Sequence, residues 1–219
     1  MKTTVYLARH AEAHNPRGIL YGRLPRIDLS SRGSEQATAL AEAMASLPLE
    51  MIYSSPLLRA RRTARAIASR HPGVPLSRSR LLLENRHPYE GRTHADIGQL
   101  GDRAYDSDVL GDSGETIADL RDRLMRFLHR AAREHPGGVV AAVAHADPIA
   151  ALRSHLLGLP LVAASLRQEA PPPAAVFRID LAADGSAQLE WFWKPPAPPA
   201  PVEQSAPEQP APEVAPPPS

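Results

Sequence analysis

The sequence predicts an α/β fold, a three-layer αβα sandwich with a largely parallel central sheet. Two observations carry that prediction. Short apolar runs of strand length alternate with segments whose apolar residues recur at helical spacing. The run Val139-Val140-Ala141-Ala142-Val143-Ala144 is also continuously apolar, the pattern of a strand covered on both faces.

The elements follow in order. Thr3-Thr4-Val5-Tyr6-Leu7-Ala8 is β-rich and stops at Arg9-His10, so it reads as a buried first strand. A polar stretch punctuated by Gly and Pro leads to Asp28, Ser30 and Ser31. These are caps for a helix with Ala37, Leu40, Ala41, Met44 and Leu47 on one stripe. Leu49 to Tyr53 is a second strand. Ser54-Ser55-Pro56 then starts a helix, with Ser55 as N-cap and Pro56 at the first helical position. A third strand is expected around Leu81–Leu83, ending at Glu84, and residues 85–114 read mostly as loop. After Ser113-Gly114-Glu115-Thr116 comes an amphipathic helix with Ile117, Leu120, Leu124, Phe127, Leu128 and Ala131 on its apolar face. Gly137-Gly138 ends that helix, the apolar strand 139–144 runs to His145, and Pro148 opens the next helix. Residues 174–181 and 187–193 flank the turn Ala183-Asp184-Gly185-Ser186 and read as a closing hairpin.

Composition bounds the chemistry. The chain has 219 residues, which suits one α/β domain with an extension. It has no cysteine, which removes disulfide scaffolds, Cys-ligated metal and thiolate nucleophiles. A net charge of +1 makes no general case for nucleic acid or an anionic membrane. No apolar run reaches the length needed to span a bilayer, and the N-terminus lacks the form of a signal peptide, so a cytoplasmic location is expected. Of 24 prolines, eleven fall in residues 195–219 with three glutamates and no basic residue, which leaves residues 1–194 with a charge of +4. The expected division is therefore a folded body, 1–194, and a disordered Pro/Ala/Glu-rich tail, 195–219.

In a parallel sheet, function gathers at the carboxyl ends of the strands. Arg9-His10, Ser54-Ser55-Pro56 with Arg59, and His145 all fall at such ends. Two histidines and two arginines on one rim point to an anion site with a nucleophile or base inside it.

Five blocks carry a resemblance to a known family: Leu7-Ala8-Arg9-His10-Ala11-Glu12-Ala13, Asp28 to Ala37, Ser54 to Ala64, Ser113-Gly114-Glu115-Thr116 and Val143-Ala144-His145-Ala146-Asp147-Pro148-Ile149. In order and rough spacing, over about residues 3–160, they resemble the histidine phosphatase superfamily, which includes phosphoglycerate mutases and many small phosphatases. The resemblance implies the phosphoglycerate mutase-like fold and a metal-independent phosphatase that hydrolyses phosphomonoesters of small metabolites through a phosphohistidine on His10. It implies no cofactor. Arg9, Arg59 and His145 would surround the phosphoryl oxygens, a role suited to the planar, permanently charged guanidinium. Asn15, Tyr21, Gly22 and Ala146 would join them in binding phosphate or substrate. Glu84 is the expected general acid, with Asp147 as the alternative proton donor. Ala11 stands where the family usually has glycine, and its methyl is expected to crowd the phosphate pocket.

Rival readings fare worse. His10-Ala11-Glu12 has the His-x-Glu form of zinc deaminases, which need cysteines that this chain lacks. His10 and His14 are four apart, but in the wrong order and setting for a helical zinc site. Within the family, the alternative is phosphoglycerate mutase-type transfer; outside enzymes, it is a degenerate phosphate-binding module. The expected partner is a small phosphorylated metabolite, with neither nucleic acid nor membrane. Oligomeric state is left open, a homodimer being one alternative.

Overall fold

A computed structural model describes residues 2–196 of the chain. In order, they form β1 (Thr3–Arg9), α1 (Ser31–Met44), β2 (Met51–Ser54), α2 (Leu58–Ser69), β3 (Leu76–Arg78), α3 (His94–Gly98), α4 (Ser107–Leu110), α5 (Ile117–Glu134), β4 (Val139–Ala144), α6 (Ala146–Leu156), α7 (Ala163–Glu169), β5 (Val176–Leu181) and β6 (Ala187–Trp193). One sheet takes the order β3-β2-β4-β1-β5-β6. Its first four strands run parallel, β5 runs antiparallel to β1, and β6 pairs antiparallel with β5 to close a hairpin.

Alternation along the strands separates the two helical layers. Val5 and Leu7 of β1 and Val140 and Ala142 of β4 pack against Leu124, Phe127 and Leu128 of α5 and Ile149 and Leu152 of α6. Tyr6 and Ala8, with Ala141 and Val143, face Ala37, Leu40 and Met44 of α1 and Ala60, Ala64 and Ile67 of α2. Both faces are thus covered, and the continuous apolar run of β4 is the consequence. Helices α1 and α5 begin at side-chain caps. Ser30 Oγ accepts from Gly33 N, and Thr116 forms a capping box with Asp119.

Register brings the functional ends together. Arg9 pairs with Ala144 and Ser54 with Val143, so β1, β2 and β4 end on one rim. The chain continues the ladder one residue further: His10 N donates to Ala144 O at 3.0 Å, and Ser55 N donates to Val143 O at 2.9 Å.

Several local expectations need correction. Residues 80–82 form a 3-10 turn that buries Leu82 beside α5, and the third strand is Leu76–Arg78, an exposed edge whose side chains give no apolar signal. Helix α2 starts at Leu58 with Leu57 as N-cap, so Ser55 and Pro56 belong to an extended lead-in. Pro148 is the third residue of α6 rather than its opening one. Residues 85–114 hold α3, α4 and two further 3-10 turns, Gly101–Tyr105 and Gly111–Ser113. The expected tail lies outside the described residues from position 197 onward. Among the described residues, no helix is long and apolar enough to cross a membrane.

Candidate active site

His10 is the centre of the rim and is 1% exposed. Its Nδ1 lies 2.6 Å from the Ala11 carbonyl oxygen, which places the ring proton on Nδ1 and leaves the Nε2 lone pair free. Arg59 Nε donates to that Nε2 at 3.2 Å. Burial first, then the charges of Arg59 and Arg9, hold the His10 pKa well below the usual histidine value. The ring is therefore neutral at pH 7, the state a nucleophile requires, and its Nε2 lone pair is held by Arg59 Nε until substrate displaces that bond.

Arg59 is fully buried in the first turns of α2. One terminal nitrogen donates to Gly22 O at 2.7 Å, the guanidinium lies 4.6 Å from the Tyr21 ring centre, and Nη1 has no partner. Arg9 is anchored through Nη1 to Pro171 O at 2.6 Å, and its Nε is buried without a partner. His145, at the N-cap of α6, places its ring centre 5.0 Å from that of His10. Its Nε2 pairs with Ser55 Oγ at 2.7 Å, while Nδ1 has no partner. Burial, then the Arg59 charge, pushes the His145 pKa well down. Its Nδ1 is 3.9 Å from Glu84 Oε2, and with a neutral ring this approach is dipolar rather than an ion pair. Three buried nitrogens of Arg9, Arg59 and His145 thus lack partners around one imidazole, an arrangement that an oxyanion completes.

Glu84 follows the 3-10 turn at 80–82 and is 8% exposed. Burial, then the nearby Asp147 charge, raises its pKa to about 7, against a partial opposing effect of Arg59. Asp147 sits in the first turn of α6 and accepts from the Tyr105 hydroxyl at 2.7 Å. Arg9, Tyr21, Gly22, Glu84, Ala146 and Asp147 line a cavity of about 190 Å³, which adjoins His145 through Glu84.

Two expected residues sit elsewhere. Asn15 spends its amide within its own loop, donating to Ile19 O at 2.9 Å and accepting from Ile19 N at 3.1 Å, and it does not line the cavity. Ala11 points its methyl into the apolar layer with Ala8, Ala37 and Ala60, and its N–H donates to Thr63 Oγ1 at 3.0 Å. Ala11 is not part of the cavity lining, and its φ is not positive, so it carries no backbone strain.

Sequence reasoning missed the residues that hold the site. Ser55 had been assigned to capping but serves His145. Thr63 supports the backbone after His10. Glu115, noted only as part of a motif, bridges Arg23 at Nη2 and Arg123 at Nε. Arg23 Nε in turn donates to Glu84 O at 2.8 Å, and Arg123 Nη1 donates to Leu81 O at 2.9 Å and Leu83 O at 2.7 Å. This charged network fixes the backbone that presents Glu84. Its sequence signals were Glu115 within a motif block and Arg123 on the core side of an amphipathic helix.

His10, Glu84 and His145 bring ligand-type atoms within 4.8 Å of one another. A cation there would face Arg59, whose Nε already occupies the Nε2 side of His10, and Arg9 adds a second positive charge. The donor set fits an oxyanion better than a metal ion.

The sequence matches the histidine phosphatase superfamily (branch 1) over residues 5–194. It is similar to the uncharacterized protein Rv0525 of Mycobacterium tuberculosis, with 36% identity over 166 residues, 72% of this chain and 80% of that one. Phosphoserine phosphatase 1 of Hydrogenobacter thermophilus is 31% identical over 164 residues, 71% of this chain and 76% of that protein. The solved structure of the mycobacterial glucosyl-3-phosphoglycerate phosphatase Rv2419c aligns with a TM-score of 0.73 at 26% identity, covering 87% of this chain and 98% of that one.

Proposed function

Because the chain belongs to the histidine phosphatase superfamily and is a phosphatase of that family, we propose the route by which it works: hydrolysis of phosphomonoesters of small metabolites through a phosphohistidine on His10. The observation that carries this reading is the neutral His10 ring, pinned at Nδ1 by Ala11 O, with its Nε2 among the unpartnered nitrogens of Arg9, Arg59 and His145.

In the first step, the Nε2 lone pair forms the N–P bond as the ester P–O bond breaks. Glu84, protonated at a pKa of about 7, gives its proton to the leaving alkoxide. In the second step, Glu84 takes a proton from water. The resulting hydroxide oxygen bonds to phosphorus, the N–P bond breaks, and phosphate leaves with His10 restored. Arg9, Arg59 and His145 hold the three equatorial oxygens, where charge stabilisation accounts for most of the catalysis. Tyr21, Gly22 and Ala146 shape the surrounding wall.

The catalytic unit in this reading is residues 1–194, the substrate is a small phosphorylated metabolite, and the setting is cytoplasmic. The test is turnover of a panel of phosphomonoesters in the presence of a metal chelator, by wild type, His10→Ala and a chain ending at 194. Phosphate release by wild type and the short chain, absent in His10→Ala, supports the reading. Transfer to a second acceptor without phosphate release would instead identify a mutase, and no turnover would identify a binding module.

A further inference from the structure

The cavity of about 190 Å³ beside the candidate site is lined by Arg9, Tyr21, Gly22, Glu84, Asn85 and Asp147 among others. With a phosphoryl group seated at Arg9, the leaving group lies against the remaining wall. The chemistry of the wall says which kind.

That wall is poorly made for a carboxylate. Among the described residues, Arg9 is the only arginine or lysine in the lining, and its Nη1 is already tied to Pro171 O. Arg23, next to the lining residue Gly22, is held by Glu115 and by Glu84 O. His87 faces the Ala104 carbonyl with Nε2 at 2.9 Å and accepts from Tyr89 N with Nδ1 at 3.3 Å. Those partners occupy both ring nitrogens. His94 stands at the exposed rim.

What the wall does offer is hydrogen-bonding capacity for hydroxyls. Asn85 lines it, is 3% exposed, and has a buried side-chain oxygen without a partner. A buried amide in that state is costly unless a ligand meets it, and it can accept from a hydroxyl or donate to one. Asp147 lines the same wall, takes the Tyr105 hydroxyl on Oδ2, and accepts only. A carboxylate brought beside Asp147 meets like charge, whereas a hydroxyl does not.

We propose that this site takes monophosphates of small uncharged polyols, with Asn85 and Asp147 holding the leaving group's hydroxyls, and that it discriminates against esters whose leaving group carries a carboxylate. The proposal deepens the hydrolytic reading above and rests on it.

The experiment measures kcat/KM of the full chain for glycerol 3-phosphate, 3-phosphoglycerate, phosphoserine and p-nitrophenyl phosphate. The first two differ chiefly in the carboxylate, so their ratio isolates its effect. Wild type is expected to favour glycerol 3-phosphate by about tenfold or more. Asp147→Asn, which keeps the side-chain shape, is expected to narrow that ratio by improving 3-phosphoglycerate relative to glycerol 3-phosphate. Asn85→Ala is expected to raise KM for glycerol 3-phosphate more than for p-nitrophenyl phosphate. Hydrolysis of p-nitrophenyl phosphate with a wild-type ratio at or below one overturns the polyol assignment alone, as does a ratio unmoved by Asp147→Asn. No hydrolysis of any of the four overturns the hydrolytic reading and this inference with it.

Discussion

Arg59 Nε donates to His10 Nε2 across 3.2 Å inside a fully buried setting. A guanidinium that donates to the lone pair of a neutral imidazole marks the contact an incoming phosphoryl group must displace to reach Nε2. Truncation by Arg59→Ala is expected to lower kcat/KM by about 10²–10³. Arg59→Lys is expected to recover only part of the loss, because a point charge cannot reproduce the planar fork. Steady-state kinetics on one phosphomonoester checks both.

Glu84 sets the alkaline side of the pH profile. As a general acid with a pKa of about 7, it must be protonated for the first step, so kcat/KM on an alkyl phosphate is expected to fall as pH rises through about 7. Glu84→Gln is expected to remove that limb and to cost far more with an alkyl leaving group than with p-nitrophenolate. If Asp147→Asn shows that pattern and Glu84→Gln does not, the acid is Asp147.

The same burial carries a stability cost. The folded pKa of Glu84 lies above its unfolded value near 4.5, so the folded state holds the proton more tightly. Stability therefore falls as pH rises from about 4.5 through about 7, where ionisation forces a charge into the buried site. Glu84→Gln is expected to raise Tm relative to wild type at pH 8 and to gain nothing at pH 4, as read by thermal unfolding at both.

The Glu115 network is expected to be structural as well as positioning. Arg123 is 7% exposed and relies on Glu115 for its counter-charge. Glu115→Ala leaves that buried guanidinium unpaired, an expected loss of about 3–5 kcal/mol in denaturant unfolding.

Gly33 in α1 is required by close approach. A Cβ there would lie 2.0 Å from the Glu12 carbonyl oxygen, a backbone atom that cannot swing aside. Gly33→Ala is expected to cost about 1–3 kcal/mol, whereas Gly98→Ala, with nothing within 4 Å, is expected to stay within about 0.5 kcal/mol.

What could be read in advance follows from what burial writes into a sequence. Strands β1 and β4 are apolar because both faces are covered, and α5 shows its stripe because one face is, so all three were legible together with the polar residues at the strand ends. Strand β3 was not, since all three of its residues are exposed and its pairing to β2 is backbone alone. The Leu81–Leu83 run misled because Leu82 alone supplies the burial, from a 3-10 turn. Ser55 was misread because a serine before proline looks the same whether its hydroxyl caps a helix or meets a histidine 90 residues later. The acid's support was illegible for a related reason: Arg23 lies 92 residues before Glu115, and only the fold joins it to the Glu115–Arg123 pair.

The most direct test of the central claim is to trap the intermediate. Wild-type protein mixed with a ³²P-labelled phosphomonoester and quenched in alkali is expected to carry label that is stable to base, released by acid, and mapped to His10, with none in His10→Ala. Turnover of the ester with no such label, or with label on a different residue, would contradict the account.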